Sequence, residues 1–192
     1  MYSSQIFAQL RALPEVYNFF NKGGGGTLVS DVFLYVPVRE KPSRFSVGIY
    51  VYGERAIDDV PFYQSMVGPT YVFVEKKNLH WELGFLAGIE SGKEMWRVSP
   101  WTLVSAFKDR ISMLAVYETG ASGPGYRVQA YSVLNKIEAK NKLMAGWVLY
   151  GPLTGPSVQF KRKKFAIFIA PYVFSIEQKN IASLVTGISG DL

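Results

Sequence analysis

The sequence predicts an α+β protein, mainly antiparallel β-sheet packed with one or two helices, plus an N-terminal helical arm. Three observations predict it. Aromatic residues make up 15% of the 192-residue chain, and many of its 12 Tyr and 13 Phe fall in short runs with Val and Ile, side chains that pack well on a pleated surface. Eighteen Gly and ten Pro supply the turns that strands need. Two segments carry apolar residues at helical spacing: Ile6, Leu10 and Leu13 near the start, and Leu103, Phe107 and Ile111 in the middle.

Residues 3 to 20 take Ser4 as an N-cap and are broken or kinked at Pro14. Gly23 to Gly26 then read as a hinge. They do not form a phosphate-cradling loop, which would end in Gly-Lys-[Ser/Thr], because Thr27-Leu28 follows. The chain thus divides into an arm at 1–22, a hinge at 23–27 and a single α+β domain at 28–192.

From Leu28 the pattern is extended. Val32, Leu34 and Val36 alternate with Phe33 and Tyr35, so both faces of this strand are at least partly buried. After the turn marked by Pro37 and Pro42, Phe45, Val47, Ile49 and Val51 make a second strand. Residues 54 to 70 read as loop, and strands follow at 71–75 and 80–90, the latter alternating through Trp81, Leu83, Phe85, Ala87 and Ile89. Ser99-Pro100 combines an N-cap residue with Pro at the first helical position, which predicts a helix to about Ser112. Strands resume at 112–118 and 126–134 around the Gly120 to Gly125 turn, then at 143–150 and 165–176. A short helix at 177–186 ends at Gly187.

Composition excludes most catalytic and targeting devices. With no Cys there is no disulfide, thiolate metal site or lipidated Cys. His80 stands alone beside Trp81 and reads as structural, so a zinc site would need carboxylates for its other ligands. Ser122 does not fit G-x-S-x-G, because Pro124 occupies the last Gly position. Asp58 and Asp59 are adjacent and read as a solvated turn. No enzyme and no cofactor is expected. Met1-Tyr2-Ser3-Ser4 lacks the basic and apolar regions of a signal peptide, and Gly and Pro interrupt the uncharged run at 143–160, so any membrane contact is expected to be peripheral.

The charge is concentrated. Lys136, Lys140, Lys142, Lys161, Arg162, Lys163 and Lys164 stand against Glu138 alone, a balance of +6 that equals the net charge of the whole chain. Such a segment points to a polyanion, lipid headgroup or nucleic acid. The run at 161–164 has a second reading as gatekeeper charge beside Phe165 to Ala170, a β-prone apolar stretch. Trp96 and Trp101 bracket the predicted helix start and read as closing the edge of a core. Tyr126, Tyr131 and Tyr150 either stack on single-stranded bases or pack in their strands.

From about residue 80 to 176 the order of elements resembles that of rhabdovirus matrix proteins. The matching pieces are a strand at Trp81 to Ile89, a helix from Ser99-Pro100, a long strand pair, a Pro/Gly loop at 151–156 and a basic-to-apolar strand beginning Lys163-Lys164-Phe165. The family's Lys-rich tail and its P-P-x-Y and P-[TS]-A-P budding motifs are missing. The resemblance implies a non-enzymatic viral structural protein of the virion and host cytoplasm. It would self-associate through Ile6, Leu10 and Leu13 and bridge nucleoprotein or RNA to an anionic membrane. The alternative is a soluble viral nucleic-acid-binding protein, a silencing suppressor or movement protein.

Overall fold

The computed structural model describes residues 11–21, 26–37, 44–56, 61–91, 95–107, 110–138, 141–151, 153–162, 165–175 and 182–190. Among these residues there is no helix. Twelve strands follow one another: β1 Arg11–Asn21, β2 Gly26–Pro37, β3 Phe45–Ala56, β4 Phe62–Lys76, β5 Leu79–Glu90 and β6 Trp96–Ala106, then β7 Ile111–Gly120, β8 Gly125–Glu138, β9 Asn141–Tyr150, β10 Leu153–Arg162, β11 Phe165–Ser175 and β12 Ala182–Gly190. Each pairs antiparallel with its neighbours in sequence, and β1 also pairs with β12, from Glu15 opposite Ser189 to Asn21 opposite Ser183. The sheet is therefore a closed barrel without an exposed edge.

Period-two alternation explains how these residues make a barrel. Along β4, Gln64, Met66 and Thr70 are buried while Tyr63 and Val67 are exposed. The polarity of that alternation is inverted relative to a water-soluble protein. The inward face carries Asp31, Gln64, Glu82, Glu90 and Arg97 among its buried residues, whereas Phe20, Val51, Val67, Ile89, Trp147 and Ile167 stand on the outer wall, each at least 43% exposed.

The α+β expectation is thus overturned in favour of an all-β chain. Leu103, Phe107 and Ile111 recur every four residues, a spacing that is also an even number and so fits one face of a strand. Leu103 lies in β6, Phe107 in the following turn and Ile111 opens β7. Pro100 sits within β6 where the pairing with β7 is interrupted between Val98 and Trp101, so its missing N–H breaks no ladder bond. The predicted arm becomes β1 from Arg11 onward, held between β2 and β12, while residues 1–10 lie outside the described residues, as do 176–181 of the predicted last helix. The predicted loop at 54–70 is largely β4. Gly26 belongs to β2, opposite Phe20, while Gly23 to Gly25 of the predicted hinge lie outside the described residues.

Inside the barrel, apolar side chains gather in two clusters. One joins Val29, Tyr131, Val148, Tyr150, Phe168 and Val185, the other Tyr35, Met66, Leu86 and Trp101. Trp101 lies over Gly84, where any Cβ would collide with the indole ring.

Candidate functional site

The site is the lumen between these clusters, a cavity of about 860 Å³ lined from nearly every strand. Its centre is a bridge from wall to wall. Arg127 of β8 donates through Nη1 to Asp31 Oδ2 on β2 at 3.0 Å, and through Nη2 to Glu15 Oε2 on β1. In the strand order, β2 and β8 are six positions apart in either direction. A single arginine and a single aspartate span that gap, so the barrel is narrowed along the β2–β8 axis. Tyr50 donates to Asp31 Oδ2 at 3.4 Å, and Gln129 reaches Glu15 Oε1 at 3.4 Å and the Tyr150 hydroxyl. The Arg127 guanidinium lies 5.6 Å from the centre of the Tyr150 ring, which meets Phe19 of β1 edge-on at 5.7 Å. These contacts make a polar and aromatic constriction across the lumen.

A second arginine network lines the wall. Arg97 of β6 donates to Glu90 Oε2 on β5 at 2.8 Å and to Glu118 Oε2 on β7 at 2.9 and 3.1 Å. It also holds the β7–β8 turn by donating to Ser122 Oγ at 2.7 Å and to the Gly123 carbonyl at 3.3 Å. The Ser122 N–H and hydroxyl donate in turn to Glu90, at 2.5 and 2.9 Å. Ser122 thus ties the β7–β8 turn to Arg97 and Glu90. His80 faces Glu75 Oε2 through Nδ1 at 2.6 Å and Glu82 Oε2 through Nε2 at 3.4 Å.

The structure brings part of the basic segment together. Lys136 and Lys142 lie at facing ends of β8 and β9, and Lys161 and Arg162 are exposed at the end of β10. Lys140, Lys163 and Lys164 lie outside the described residues. All four described cations stand at the mouth where β1 begins and β12 ends. Leu13 packs in the lumen against the Tyr35 cluster, while Ile6 and Leu10 lie outside the described residues, as do Asp58 and Asp59. Of the two tryptophans read as closing a core, Trp101 does so at 7% exposure, but Trp96 stands on the outer wall at 48%. Tyr131 and Tyr150 are buried, and Tyr126 is half-buried.

The lumen residues escaped the sequence reading. Glu15 and Asp31 lie 96 to 114 residues from Arg127 and Gln129 in the chain, and only the closure of the sheet brings the two pairs together. One local signal was present: charged residues such as Asp31, Glu82 and Arg97 alternate with apolar ones within strands.

No family model matches the chain, and no curated protein matches it. Among solved structures it is similar to the NanC porin in a rhombohedral crystal form, with a TM-score of 0.53 and 12% identity over 93% of this chain and 100% of that one. A mutant of the Rh. blastica porin aligns over 96% of this chain and 99% of its own at 8% identity, with a TM-score of 0.31. The NanC likeness shows the fold, a closed porin-type barrel. This overturns the resemblance to matrix proteins, whose helix after Ser99 is absent here. The nucleocapsid, nucleoprotein and RNA partners, the virion and host-cytoplasm location and the peripheral membrane contact that depended on it fall as well, together with the soluble viral nucleic-acid-binding alternative.

Proposed function

We propose that this chain is an integral β-barrel membrane protein of the outer-membrane type that passes small solutes through its lumen, with the Arg127 bridge as its constriction. The observation that carries this is the inverted wall, with large apolar side chains exposed all round and ionised ones inside. In water such a surface would far exceed the apolar patch a monomer tolerates. In a bilayer it is matched to the acyl chains, and closure satisfies every ladder hydrogen bond. Strands of 9 to 15 residues are long enough to cross when tilted. No described helix is long and apolar enough to cross, so any crossing is by strands. Twelve strands lie between the eight-stranded barrels filled by their own side chains and the 16-stranded barrels that hold an aqueous channel, which agrees with a lumen bridged by one arginine. The proposal includes no catalytic step and no cofactor.

Purified protein reconstituted in a planar bilayer tests this. Discrete conductance steps, larger in Arg127→Ala than in the parent, are expected. A chain that stays soluble without detergent, or that inserts but conducts in neither form, overturns the assignment.

A further inference from the structure

We propose that the mouth where β1 begins and β12 ends is a collar for phosphate-bearing anionic lipid headgroups, which rests on the barrel spanning a membrane. Five hairpin connections lie at this mouth, and exposed cations mark four of them. These are Arg44 before β3, Lys76 and Lys77 between β4 and β5, Arg110 between β6 and β7, and Lys161 with Arg162 at the end of β10. Lys136 and Lys142 occupy strand ends at the fifth. The six exposed cations have no ion-pair partner among the described residues. The described acids near this mouth are Glu75 and the buried Glu82, which both face His80, and Glu138. The opposite mouth is different: Glu54, Glu90 and Glu118 stand there with Arg55 and Arg97.

Directly beneath the cations, exposed rings project from the outer wall, Phe45 at 56%, Phe73 at 51% and Phe165 at 56%, and Phe107, 64% exposed, stands in the turn after β6. Aromatic side chains at this height mark the boundary between acyl chains and headgroups. Phe107 is held there at a cost, with φ at 54° and its N–H donating to the Asn78 carbonyl at 2.7 Å. The shape of the charge selects the occupant. An acidic protein or a soluble polyanion would meet one patch, whereas these cations run around the circumference in continuity with the lipid-facing wall. Each cation at an anionic surface shifts partition roughly fivefold.

The test uses full-length protein in phosphatidylcholine vesicles doped with spin-labelled phosphatidylglycerol or spin-labelled phosphatidylcholine, and reads the motionally restricted fraction of each. A severalfold preference for phosphatidylglycerol that weakens with salt is expected. It should fall to near unity when Lys76, Lys77, Arg110 and Arg162 are all changed to Ser, and persist in Arg55→Ser at the other mouth. Lys161 is spared because it also lines the lumen. An inserted, conducting barrel with equal restriction of both lipids overturns the collar alone. An unchanged preference in the fourfold variant, or a preference lost in Arg55→Ser, also overturns it. Failure to insert overturns the membrane assignment with it.

Discussion

Arg97 and Arg127 each hold two carboxylates in the barrel interior, but in different directions. Arg97 pairs with Glu90 and Glu118 on the strands to either side of its own and pins the turn at Ser122. Arg127 lies against the Tyr150 ring on the neighbouring strand and takes its carboxylates from the far wall. The same chemistry therefore serves two ends. Along the wall, hydrogen-bonded strands already fix the spacing, so the Arg97 network only adds to a geometry the ladder has set. Across the lumen no backbone bond exists, and side chains span the width there, Arg127 to Asp31 and Glu15 and Gln129 to Glu15.

The comparison breaks most sharply at Arg97. Its side chain is 6% exposed and that of Glu90 only 1%. Arg97→Met strands the nearly inaccessible Glu90 carboxylate beside Glu118 without their shared cation, and a loss of about 3–5 kcal/mol in unfolding free energy is expected. Denaturant titration in detergent measures it, and single-channel conductance of the folded fraction should match the parent.

Arg127→Ala should cost less, about 1–3 kcal/mol, because the carboxylates it leaves face a cavity that water can enter. Its larger effect is on permeation. Conductance should rise severalfold and shift toward cations, since the variant removes the one guanidinium of the bridge; reversal potentials under a salt gradient give the sign.

The complementary variant sharpens this. Glu15→Gln with Asp31→Asn also breaks the bridge but leaves the arginine, so the opened lumen should favour anions. If both variants show the same ion preference, the bridge does not control permeation.

The smallest change tests the wall. Ser122→Ala removes the hydroxyl contacts to Glu90 and Arg97 but keeps the backbone N–H bond to Glu90. About 1 kcal/mol of stability should be lost, with conductance and selectivity unaltered.

Several strands were legible in the sequence because a period of two survives in any strand with unlike faces. Val47, Ile49 and Val51 define β3 well, and Leu83, Phe85, Ala87 and Ile89 define β5. The helix predicted after Ser99 was not real, since residues four apart share a face in both helix and strand. Proline at 100 tipped the reading toward a helix start, although β6 accepts it where its pairing with β7 is interrupted. The basic segment was legible as a cluster, but its place on neighbouring hairpins at one mouth was not.

By itself the sequence determined the alternation of apolar and polar residues, the turns, the absence of thiol chemistry and the concentration of charge between Lys136 and Lys164. It did not determine which face of each strand is the inside. Alternation has no sign: an apolar face buried in a protein core and one turned to lipid leave the same pattern in a chain. Only the pairing of β1 with β12 chose between them, by closing the sheet around Asp31, Arg97 and Arg127 and turning Phe20, Val67 and Ile167 outward. The same closure brought Glu15 and Arg127, 112 residues apart in the chain, into one ion pair. Distance along the chain carries no trace of such a contact, because it depends on the circumference of the completed ring.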